Sequence, residues 1–184
     1  MKRYISLSLF LFSAIVVLWS ITNEYSDDSQ LQQPKSKNFV EIFMNEFEMT
    51  AMDDAGAPRY IINGKYLQKL NNSNDTEIEQ PIFHLLQDKN QWTISADSAT
   101  MNNKDETVLL NKNVVMQQQN IEPAVTIRTQ SLLINTKTQI AQTEEVVDIT
   151  HGKSRLNSKG MVFNNITSAL ELSSSVNGYY LPYD

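Results

Sequence analysis

The chain contains no cysteine. That excludes disulfides, thiolate metal sites and a cysteine nucleophile, and it excludes the N-terminal lipidation of bacterial lipoproteins. Histidine is nearly absent too: His84 stands in "PIFHLLQ" and His151 in "DITHGKS". Neither has a second ligand at a metal-like spacing, so both read as strand or turn residues. Glycine numbers five in 184 residues, and no phosphate loop, dinucleotide fingerprint or Gly-x-Ser-x-Gly elbow occurs. Positive charge is short, with 15 Lys and Arg against 21 Asp and Glu and a net charge of −6. Nucleic-acid binding needs a concentrated basic stripe and is excluded. The acidic residues do not assemble into a site either. Asp53-Asp54 and Glu144-Glu145 lack the alternating oxygens and central glycine of a calcium loop and read as solvated turns. Asp97 lies on the polar phase of its strand and Asp105-Glu106 in a turn, so no carboxylate pair sits in an apolar pocket. The sequence therefore offers no enzyme active site, and no metal or cofactor is expected.

What the chain does have is one long apolar run. "MKRY" precedes Ile5 to Ile21, a stretch without a charged residue. As a helix it spans roughly 26 Å, close to the ~30 Å of a bilayer core. A cleavable signal peptide would end in a small-x-small site, and Ser20-Ile21-Thr22 matches that poorly. Tyr4 and Trp19 flank the run as interfacial anchors do, and Lys2 and Arg3 keep the N-terminus cytoplasmic. The expected organisation is a transmembrane anchor over 1–22, a polar tether over 23–38 and one domain over 39–184.

Within that domain the dominant signal is period two. In "WTISAD" (92–97) Trp, Ile and Ala alternate with Thr, Ser and Asp. Strands are expected over 59–69, 81–87, 92–97, 107–117, 124–136, 139–150, 154–163 and 168–176. The segment "FVEIFMNEFEMT" (39–50) fits neither period and reads as a helical turn or a first strand, and "LNNSNDTEIEQ" (70–80) reads as a polar loop. Beneath the strands lies a repeat. "INGKYL" (62–67), "ISADSA" (94–99), "IRTQSL" (127–132) and "LNSKGM" (156–161) recur about every thirty residues, as a stacked hairpin unit would. The apolar phase comprises Tyr60, Ile62, Trp92, Ile94, Ala96, Val114, Met116, Val125, Ile127, Val147 and Ile149. This face is either the packed core of a β-sandwich or the lining of a groove for a lipid-like ligand, and alternation alone does not separate the two.

The pieces in order are an N-terminal anchor, Asp-x-x-Gly-x-x-x-Tyr at 53–60, Trp-x-Ile-x-Ala-Asp-x-Ala at 92–99, Ile-x-Thr at 127–129 and Ser-x-Gly-Met at 158–161. Together they resemble the LptC family, the bitopic inner-membrane component of lipopolysaccharide export in Gram-negative bacteria. The resemblance runs from the anchor to about residue 180. It implies an all-β fold, a twisted antiparallel β-jellyroll forming a V-shaped trough, preceded by one transmembrane helix. It further implies a lipopolysaccharide relay without enzymatic activity. The relay would accept its cargo from an inner-membrane ABC transporter (LptB, LptF and LptG) and pass it to periplasmic LptA. The apolar phase would then line the trough. The N-terminal edge, with Met52 and Gly56, would meet the transporter. The C-terminal edge, with Gly160, Met161, Phe163, Leu170, Leu172 and Val176, would meet LptA, with little tail beyond it. Gly160 stands where earlier repeats carry Tyr66 or Ser98 and suits a bulge or a close backbone approach. The alternative is a membrane-tethered β-domain with a filled core that only docks protein partners.

Overall fold

A computed structural model describes residues 38–53, 55–86 and 91–181. The anchor expected over 1–22, and the tether apart from residue 38, fall outside the described residues. Among those described, no helix is long and apolar enough to cross a membrane. All regular structure there is strand: β1 (Val40–Met52), β2 (Pro58–Leu70), β3 (Asp75–Glu79), β4 (Ile82–Leu85), β5 (Trp92–Ser95), β6 (Ser98–Asn102), β7 (Thr107–Gln118), β8 (Val125–Asn135), β9 (Ile140–His151), β10 (Ser154–Asn164) and β11 (Ala169–Tyr179).

Every pairing is antiparallel. β3 and β4 lie end to end along β2, opposite Tyr66–Lys69 and Tyr60–Asn63 respectively. β6 and β5 lie end to end along β7 in the same way. With each of these counted as one interrupted pass, the chain is a continuous meander from β1 at one edge to β11 at the other.

Midway along the passes the ladder is broken. Register shifts fall between Asn111 and Val114 on β7, between Arg128 and Leu133 on β8, and between Lys159 and Met161 on β10. Backbone φ is positive at Gln80, Lys112, Asn113, Gly160 and Ser175, conformations that bend a strand. On β2, β8 and β10, and between β5 and β6, the burial phase inverts across this line, whereas β7 and β9 keep theirs. Ile62 and Leu67, Ile94 and Ala99, and Ile127 and Leu132 are all buried, although an unbroken strand would put residues five apart on opposite faces. Leu156 and Met161 follow the same rule, both packing into the core. These pairs are the first and last residues of the four repeat blocks. The repeat is therefore a crease, the point at which each pass leaves one half-sheet and enters the other.

Asp97 holds part of this crease. Its backbone N–H donates to the Lys112 carbonyl at 3.0 Å, its carbonyl accepts from Gln80 N–H at 2.9 Å, and its Oδ2 accepts from Asn113 Nδ2 at 2.9 Å. Of the two readings of 39–50, the first strand is the one that forms, as edge strand β1, and two sequence expectations change. The 70–80 loop contains β3, whose Thr76 and Ile78 are buried; a strand this short and polar has only two inward positions to announce it. Glu144-Glu145 is no turn: the pair sits inside β9 at the crease, solvated because that strand bulges there. Asp53 does cap its turn, with Oδ1 accepting from Ala55 and Ala57 N–H at 2.9 and 2.8 Å.

Candidate functional site

The two half-sheets face each other across one apolar interior. The first is built from the start of β2, β4, β5, the end of β7, the start of β8 and the end of β9. It carries the whole apolar phase read from the sequence. Ile62, Trp92, Ile94, Val114, Met116, Ile127, Val147 and Ile149 are buried, and Tyr60, Ala96 and Val125 pack partly buried against them. Each fully buried aliphatic side chain is worth about 1.5–3 kcal/mol, so this face supplies a large share of the domain's stability.

The opposing half-sheet escaped the sequence reading. Its lining includes Leu67, Ile78, Val108, Leu110, Leu132, Ile134 and Ala141, and it also includes two residues expected at the C-terminal edge. Met161 and Phe163 are 1% and 3% exposed. They point inward from β10, which is covered by β11, so they belong to the interior and offer an incoming strand nothing. The signal that could have placed them is the five-residue spacing within each repeat, since a phase carried straight through the crease assigns them outward.

Away from the crease the half-sheets meet along a lip. Arg59, at the start of β2, donates through Nη2 to the carbonyl of Thr136 in the β8–β9 turn of the other half-sheet, with the Lys137 carbonyl 3.4 Å away. Trp92 and Phe163 stack edge-to-face across the interior, with ring centroids 5.1 Å apart. Between these contacts lies a cavity of about 20 Å³ lined by Arg59, Tyr60, Phe83 and Leu85 from one side and Val108, Ile134, Ala141, Phe163 and Asn165 from the other. It has room for about one water-sized group. Two buried polar atoms near it, Asn165 Oδ1 and Trp92 Nε1, have no hydrogen-bond partner in the protein.

Charge stays outside. The ion pairs Lys69–Glu41, Lys137–Glu106 and Arg155–Asp148 span 3.5–3.7 Å at partly or well exposed positions and contribute little to stability. Among the described residues no cluster of His, Asp or Glu could hold a metal ion. At the edges, β1 pairs only with β2 and β11 only with β10 among the described residues. Leu170 and Val176 on β11 are 37% and 54% exposed and Met52 on β1 is 56% exposed, while Leu172 packs against the core. Gly56 turns the β1–β2 hairpin with φ +81°, and Gly160 has the same φ at the β10 bulge, where a Cβ would lie 2.9 Å from Ser173 Oγ.

A search of curated proteins returns no match. The sequence does match the family described as "Lipopolysaccharide-assembly, LptC-related" over residues 9–181. That match covers nearly the whole chain, including every strand described above, and the chain belongs to the LptC family.

Proposed function

We propose that this chain is a non-enzymatic lipopolysaccharide relay of the Lpt transenvelope bridge. In this reading residues 1–22 anchor it in the inner membrane, and the β-domain is a periplasmic jellyroll whose half-sheets form a V-shaped trough. It accepts lipopolysaccharide from the ABC transporter built of LptB, LptF and LptG and passes it to LptA. The observation that carries the reading is the apolar interior, which is continuous across both half-sheets and bounded by a lip on the side away from the crease. Each methylene buried there is worth about 0.8 kcal/mol, so acyl chains are held without ionic help. The phosphorylated head group stays in water, away from a chain of net charge −6. The outer backbones of β1 and β11, unpaired among the described residues, suit strand addition by jellyroll neighbours. The transporter then takes the β1 side, with Met52 and Gly56, and LptA takes the β11 side, with Leu170, Leu172 and Val176.

The closed lip favours a second reading, a tethered adaptor whose interior is simply core. With about 20 Å³ between the lips, an acyl chain enters only if they part. Photo-crosslinking in living cells tests the choice, using a crosslinker at Trp92, Ile127 or Ala141 and an outward control at Thr93. The relay reading expects lipopolysaccharide adducts at the inward positions alone. Protein adducts without lipid at any inward position would leave the adaptor.

A further inference from the structure

The lip cavity has a polar corner in an otherwise hydrocarbon lining. Asn165, in the β10–β11 turn, is 4% exposed. Its Nδ2 donates to Gln139 Oε1 at 2.9 Å, and its backbone N–H donates to the Gln139 carbonyl at 3.0 Å. Those two bonds fix the side-chain amide against the neighbouring hairpin, yet its Oδ1 accepts from nothing in the protein. A buried acceptor without a partner is costly, and natural folds avoid it unless the site has a use for it. Arg59 lines the same cavity from the opposite half-sheet. A guanidinium carries five N–H donors; two carbonyls, those of Thr136 and Lys137, lie within its reach.

We propose that Asn165 and Arg59 form a polar subsite at the lip that reads the hydroxyl and carbonyl at the root of a 3-hydroxyacyl chain. The assignment rests on the relay reading above and adds a ligand feature to it. A free acceptor calls for a donor, and a guanidinium calls for an acceptor. Phe83, Val108, Ile134 and Phe163 beside them call for methylenes. A chain that begins with a carbonyl, carries a hydroxyl two carbons on and continues as hydrocarbon supplies all three in order. A plain fatty acyl chain has no donor for Asn165, and a phosphate ester would set oxygen acceptors against Oδ1. The cavity has room for a group of hydroxyl size, and Asn165 Oδ1, buried in the closed state, is reached as the lips part. As the lips part to admit the chain, Arg59 exchanges the Thr136 carbonyl for that of the ligand, and the hydroxyl takes up Asn165 Oδ1.

The test uses the full chain in lipid nanodiscs carrying a fluorescent lipopolysaccharide, with empty discs as the partition control. Two displacing probes are compared, N-(3-hydroxydecanoyl)glucosamine and N-decanoylglucosamine. A hydrogen bond to a neutral group corresponds to about a tenfold preference for the hydroxylated probe in the native protein. In Asn165→Leu the two probes should fall within about twofold of each other. Equal displacement by both probes from the native protein, with the fluorescent lipid bound, overturns the subsite and leaves the relay standing. A preference that survives in folded Asn165→Leu overturns it as well. Failure of the fluorescent lipid to bind the native protein removes the relay reading and the subsite with it. The native comparison needs no variant, so the outcome does not depend on how Asn165→Leu folds.

Discussion

Arg59→Met should loosen the lip without loosening the fold. Methionine keeps the apolar stem of the half-buried side chain and removes the donor that bridges to the Thr136 carbonyl. A hydrogen bond to a charged group contributes about 1.5–3 kcal/mol. The Lys137 contact, at 3.4 Å and exposed, adds little. Discounting for partial exposure leaves about 1–2 kcal/mol, a factor of roughly 5–30 in the equilibrium between closed and open lips. Because the chain has no cysteine, a single introduced thiol reports that equilibrium cleanly. Ala141→Cys is the natural reporter, since Ala141 is 2% exposed and lines the lip cavity. When reclosure is fast, its maleimide labelling rate is proportional to the open population. Arg59→Met should raise that rate by the same factor. Val147→Cys, fully buried beside the crease, should label at an unchanged rate because only global unfolding exposes it, and surface-exposed Thr138→Cys should also stay constant. Equal Ala141→Cys rates in both backgrounds would refute the clasp. A parallel rise at Val147→Cys would mean that Arg59 supports the whole fold and has no special role at the lip.

Ile94→Asp places a carboxylate at a fully buried position and should cost several kcal/mol. Thr93→Asp, one residue away on the outer face and half-buried beside His84, should cost only about 1–2 kcal/mol; similar thermal melts for the two would contradict the register. Gly160→Ala and Gly56→Ala share a φ of +81° but differ in space, since only Gly160 has neighbours within 4 Å of the added Cβ. Both should lose about 1–2 kcal/mol to the left-handed backbone, with a further loss at Gly160 alone, and equal denaturation midpoints would show that the contact with Ser173 carries no weight.

Half of the interior was legible in the sequence and half was hidden, on β8 and β10 because the ladder breaks there. Period two describes a strand only while its ladder is unbroken. On the first half-sheet it placed Ile62, Ile94, Ile127 and Ile149 inward, and all four are buried. Past the crease the same count sends Met161 and Phe163 outward, and both are core. The residues at the break have no fixed chemistry: they are Gly160 on β10, where the phase inverts, and a lysine-asparagine pair on β7 and two glutamates on β9, across which the buried residues keep one phase. Only Gly160 looks like a bulge in the sequence. β3 stayed invisible because Asp75–Glu79 alternates charge with only Thr76 and Ile78. The lip was hidden more deeply. Arg59 meets Thr136, and Asn165 meets Gln139, across separations that no local pattern encodes.

The crease also decides where the domain can open. A flat meander of these strands would bury one face and leave the other in water, and its apolar residues would need an unbroken phase. Breaking the passes at the same level, with the phase inverted on β2, β8 and β10 and between β5 and β6, turns both halves inward, and the sheet covers itself. The same device leaves the ladder thin at the fold line, because pairing lapses between Asn111 and Val114 and between Arg128 and Leu133. Bending there therefore disturbs few backbone hydrogen bonds. On either side of the crease the ladders run on, with further shifts only near the ends of β1, so each half-sheet is held together by its own strand pairing. Parting the lips then breaks the Arg59 bridge, the Trp92–Phe163 contact and the apolar contacts around the cavity, while the strand pairing survives. Local opening is cheapest where the fewest backbone bonds must break, and here that is the lip. In the proposed relay, an acyl chain entering there would replace the lost apolar contacts with its own methylenes, at about 0.8 kcal/mol each, so that opening and loading would offset one another.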